Sequence, residues 1–107
     1  METNTLASEM KKNNLEKFRR VLSRRGMYVA DDNLDQVFGL VGGFDAASDP
    51  SILDGFREWL LEEYPQCDGP FGWTTSVIQI LPKELKGQDA VDAFVDILMQ
   101  FLDTRHN

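Results

Sequence analysis

Apolar and polar positions follow one another along this chain with the period of a helix far more often than with that of a strand. The densest stretch is Ser51-Ile-Leu-Asp-Gly-Phe-Arg-Glu-Trp-Leu-Leu-Glu-Glu-Tyr64. There Ile52, Leu53, Phe56, Trp59 and Leu60 recur at three- and four-residue spacing, while Asp54, Arg57, Glu58, Glu62 and Glu63 fall mostly on the other side. Two large aromatics on one stripe offer more area for burial than any other segment. The spacing predicts the central helix of a small all-helical domain.

Upstream, residues 1–12 are polar, with Leu6 and Met10 as the apolar anchors, and read as flexible or weakly helical. Asn13 with Glu16 three residues on forms a capping-box variant that would open a helix. Leu15, Phe18, Val21 and Leu22 supply its buried stripe, and Gly26 is placed to stop it. Met27-Tyr28-Val29 reads as a short apolar link that pins the following loop to the core. Asn33 with Gln36 is a second capping box, ahead of Leu34, Val37, Phe38, Val41 and Phe44 at helical spacing. Gly39, Gly42 and Gly43 weaken that helix by roughly 1 kcal/mol each relative to alanine. They imply either the close approach of another helix or an early end near Gly42-Gly43.

Ser48-Asp49-Pro50 supplies a cap and a first-turn proline for the central helix, which stops before Pro65. A Pro/Gly-rich loop follows to Gly72. Residues 73–81 are ambiguous: their β-branched content favours a strand, whereas Trp73, Val77, Ile80 and Leu81 fit a helix with Thr74 or Thr75 near its start. A lone strand would leave its ladder unpaired, so the helix is preferred, ending at Pro82. After 83–87, Val91, Phe94, Val95, Leu98, Phe101 and Leu102 hold a regular apolar stripe. The expectation is an all-α, single-domain bundle of about five helices over residues 13–107.

A chain of 107 residues has room for one core. No long apolar run suggests a membrane span, and the N-terminal residues lack the pattern of a signal peptide. One cysteine, Cys67, cannot form an internal disulfide, which makes the cytoplasm the default location. The net charge of −7 is unevenly spread: residues 1–25 balance to +4 and residues 26–107 to −11. An acidic body repels nucleic acid and attracts basic proteins. Lys17, Arg19, Arg20, Arg24 and Arg25 make the first helix basic, but no aromatic interleaves with these exposed charges, Phe18 belonging to the buried stripe, so a solvated face is the plainer reading.

The inventory for catalysis is thin. The single histidine, His106, lies one residue from the end, and Cys67 has no basic neighbour to lower its pKa. Asp31-Asp32-Asn33-Leu34-Asp35 suggests calcium superficially, yet an EF-hand starting at Asp31 would need glycine and glutamate where Gln36 and Gly42 stand. Arg24-to-Val29 looks like a short piece of type II topoisomerase ATPase domains, but the nucleotide motif of those domains is absent. The expectation is a non-enzyme with no metal and no cofactor.

Several segments together resemble a group of small bacterial proteins associated with polymorphic or contact-dependent toxins, the immunity-type proteins. The matching residues are Phe18 and Leu22 before Arg25-Gly26-Met27-Tyr28, then Gly43-Phe44, Gly55-Phe56-Arg57-Glu58-Trp59-Leu60, Gly72-Trp73 and the closing stretch from Phe94 to Phe101. The resemblance implies a cytoplasmic inhibitor that binds and neutralises a cognate toxin domain, often a basic nuclease. An acidic surface would complement such a partner. The candidate contact residues are Asp31, Asp32, Asp35, Asp54, Glu58, Glu62, Glu63 and Asp68. The alternative is a structural or adaptor protein acting as a homodimer, with no toxin partner; neither reading involves nucleic acid or membrane.

Overall fold

Nothing in residues 2–23 interrupts helical propagation, since there is neither glycine nor proline and most residues favour a helix. The computed structural model, which describes residues 2–48, 51–67 and 72–106, accordingly runs α1 from Glu2 to Ser23. Asn13, expected as the start, lies inside this helix, and the segment ahead of it takes the helical of its two alternatives. After a 3₁₀ turn at Arg25–Met27 come α2 (Leu34–Ala47), α3 (Phe56–Glu63), α4 (Trp73–Ile80) and α5 (Gly87–His106). The protein is all-α, with no strand among the described residues. It divides into two units, 1–53 and 54–107.

In the first unit, the α1 stripe buries Leu15, Phe18 and Leu22, and the Phe18 ring lies 5.1 Å from that of Phe44. The end of α1 tightens as it closes: the Arg24 N–H is shared between the carbonyls of Arg20 and Val21. Gly26 then sits within the 3₁₀ turn, at negative φ, rather than as a left-handed cap. The α2 start matches expectation, with the Asn33 side chain accepting from the Gln36 N–H at 3.0 Å. The return bond differs from the standard box, because Gln36 Oε1 accepts from Asp31 N–H at 3.1 Å. Neither reading of the α2 glycines holds. The helix passes through Gly39, Gly42 and Gly43 to Ala47, and a methyl at any of the three would meet nothing within 4 Å among the described residues.

The central helix begins later than the pattern predicts. Ile52 and Leu53 are buried, but they lie in a bend ahead of the helix. Two things hold them there. Asp45 at the end of α2 takes hydrogen bonds from this bend. Gly55, at φ 84°, starts α3 from a left-handed conformation that a helix cannot continue through. Asp49 and Pro50, the expected cap, lie outside the described residues.

The second unit is organised by rings. Phe56 of α3 stands 5.0 Å from Phe101 of α5 and 5.8 Å from Trp73 of α4. Trp59 adds contacts to Phe101 at 5.6 Å and to Tyr64 at 6.2 Å, and Trp73 stacks on Phe94 at 5.8 Å. Phe56, Phe94 and Phe101 are fully buried, while the indoles are half-buried. These tilted and offset geometries suit the ring quadrupoles and add to the area buried. Residues 73–80 are helical, with Gly72 rather than a threonine at the cap; Val77 is buried and Ile78 points out. The α5 stripe is buried as predicted at Val91, Phe94, Leu98, Phe101 and Leu102, with Ala90 and Ile97 beside it and Val95 half-buried.

Candidate functional site

The expected acidic contact residues separate into two groups. Asp31, Asp32 and Asp35 belong to the first unit, around the start of α2. Asp31 and Asp35 are exposed. Asp32 has other work: its carboxylate takes a forked bond from Arg25, Nε to Oδ1 at 2.7 Å and Nη2 to Oδ2 at 3.1 Å. The same guanidinium donates to the Leu22 carbonyl, so the pair ties the end of α1 to the loop before α2. Asp32 is therefore better explained by holding this loop than by holding a partner.

The second group is built on α3. Asp54 lies in the turn before it, and Glu58 and Glu62 follow at four-residue spacing, one helical turn apart. All three are exposed, and Glu63 is exposed beside them. Behind Glu58 and Glu62, Phe56 and Leu60 are fully buried and anchor the helix. Asp68 lies outside the described residues.

A third acidic row, on α5, was not among the candidates. Asp89, Asp92 and Asp96 are spaced by three and four and Asp103 by seven more, all exposed. Their spacing interleaves with the apolar stripe and was legible in the sequence.

The expected anchoring of Met27 and Tyr28 does not occur. The 3₁₀ turn directs their carbonyl-bonded backbone back toward α1, through Met27 N–H to Arg24 O at 2.9 Å and Tyr28 N–H to Arg25 O at 2.8 Å. Their side chains are left 77% and 57% exposed, and it is Val29 that is half-buried. They line a groove of about 390 Å³ together with Lys17 and Arg20 of α1 and Arg24 just past its end. Val21 and Phe44 complete its apolar lining. An aromatic thus does stand among the basic residues of α1, contributed by the turn after the helix rather than by the helix itself.

Cys67 is buried, and its thiol donates to the Ser76 carbonyl at 3.6 Å, joining the end of the Tyr64 turn to α4. Burial pushes its pKa up, opposite to the shift that activates a nucleophilic thiol. Among the described residues no group of three His, Cys, Asp or Glu is placed to hold a metal ion, and no helix is long and apolar enough to cross a membrane. Comparison with models of known protein families, with curated proteins and with solved structures gave no match.

Proposed function

We propose that the protein is a non-enzymatic binding protein, an immunity-type inhibitor that neutralises a basic toxin domain through an acidic helical face. The observation that carries this reading is the pair Glu58 and Glu62, exposed at four-residue spacing on α3 and backed by the buried Phe56 and Leu60, with the exposed Asp54 in the turn before the helix. Carboxylates on a helix anchored in this way are held in place before a partner arrives, which lowers the ordering cost of binding. They would steer a basic domain to the surface and set its orientation there. The resemblance to immunity-type proteins supplies the class of partner, and a cytoplasmic site of action follows from that class.

The test begins with affinity capture of the tagged protein from its own cells and identification of bound partners by mass spectrometry. The expected result is a stoichiometric partner with a basic toxin domain, whose activity the protein blocks. Its affinity should fall with added salt and drop at least tenfold in Glu58→Lys/Glu62→Lys. Inhibition unaffected by that pair of substitutions would overturn the role given to α3. A second reading, a homodimeric adaptor, draws on Ile78, which is 57% exposed on α4. A concentration-dependent mass in solution that Ile78→Asp abolishes would favour it.

A further inference from the structure

The groove beside α1 has a charge opposite to that of the chain as a whole. Lys17 and Arg20 stand three residues apart on α1, and Arg24 follows directly after its last residue, so a short stretch of chain supplies three cations to the groove. Arg25, next in sequence, is neutralised by Asp32. Lys17, Arg20 and Arg24 make no ion pair among the described residues. Met27 and Tyr28 share the lining with them and are the two most exposed large apolar side chains among the described residues of the first unit. Arginine, tyrosine and methionine are the residue types enriched where protein interfaces bury most of their energy.

We infer that this groove is a docking site for an acidic peptide segment of a partner protein. The segment seats one aliphatic or aromatic side chain against Val21 and Phe44, between Met27 and Tyr28, and sets its carboxylates against Lys17, Arg20 and Arg24. The volume of about 390 Å³ suits an inserted side chain rather than a whole domain surface. Three cations over one short stretch match a few carboxylates and engage too few phosphates to hold a long nucleic acid. The inference does not rest on the acidic face of α3: it concerns the other unit and a partner of the opposite charge.

The test is selection of a randomised peptide display library on the immobilised full chain, counter-selected on Arg20→Glu/Arg24→Glu. Enriched sequences should carry acidic residues flanking a Leu, Ile, Met, Phe or Trp. A labelled peptide of that kind should bind saturably, weaken roughly tenfold or more in the double variant, and weaken several-fold in Tyr28→Ala. Far-UV circular dichroism of both variants checks that the helices are intact, and Tyr28→Phe should keep most of the binding. Failure to enrich any sequence over the counter-selection, or enrichment without acidic residues, would overturn the inference. So would tighter binding of labelled oligothymidylate than of any peptide, or a dimer that Arg20→Glu/Arg24→Glu dissolves, since these assign the groove to nucleic acid or to a second copy.

Discussion

Asp45 and Leu53, eight residues apart, are joined by a hydrogen bond in which Asp45 Oδ1 accepts from the Leu53 backbone N–H at 2.9 Å. The same oxygen accepts from the Ser51 hydroxyl at 2.6 Å. One carboxylate thus closes the segment after α2 and holds Ile52 and Leu53 in their buried positions outside the helix. Asp45→Ala leaves the Leu53 amide unpaired and should lower stability by about 1–3 kcal/mol. Urea denaturation measures the loss, and hydrogen exchange should show the Leu53 amide opening faster. Asp45→Asn keeps an acceptor and should cost less.

The glycines predict effects of opposite sign. Gly39 and Gly43 lie on the exposed surface of α2 with open space around them, so Gly39→Ala and Gly43→Ala should each stabilise by about 0.5–1 kcal/mol. Gly55 is at φ 84°, and Gly55→Ala should destabilise by about 1–2 kcal/mol. Thermal melts of the three variants decide it: the first two midpoints should rise and the third should fall.

Phe101 is fully buried and lies within 5.0 Å of Phe56 and 5.6 Å of Trp59, ring to ring. Phe101→Ala should cost about 3–5 kcal/mol, the usual range for an aromatic removed from a packed core. Because Trp59 and Trp73 both belong to the second unit, intrinsic tryptophan fluorescence reports on that unit alone. The variant should therefore show its loss in fluorescence-detected unfolding.

The Cys67 thiol is held neutral by burial, its pKa raised above the ordinary value. Its contribution to stability is then fully present below the ordinary thiol pKa and is lost as pH rises through the raised folded-state value. Reaction with a thiol reagent at mildly alkaline pH should be slow in the folded protein and fast in urea. Equal rates in the two conditions would contradict the buried placement.

Asp32 and Glu58 should separate structural from binding roles. Asp32→Ala removes the forked partner of Arg25, whose side chain is only 18% exposed, and should cost up to about 1 kcal/mol of stability, less at high salt. Glu58→Lys changes an exposed position on α3 and should leave the melting temperature nearly unchanged while weakening the proposed basic partner. Paired melts and binding titrations of the two variants check both halves.

By itself the sequence determined the helical class and most of the buried face of each helix. Spacing at Phe18 and Leu22, at Val37 and Val41, and along α5 from Val91 to Leu102 is local information, and a helix converts it directly into one side. It also placed the Asn33–Gln36 cap, whose partners are three residues apart. Tertiary structure decided what depends on partners farther away. Ile52 and Leu53 continue the helical pattern of Phe56, yet the Asp45 carboxylate and the left-handed Gly55 keep them in a bend. Met27 and Tyr28 are as apolar as core residues, yet the 3₁₀ turn after α1 leaves them in solvent beside Arg20 and Arg24. Periodicity records which side of an element is apolar; where a segment must leave its element, the deciding bond comes from elsewhere in the chain.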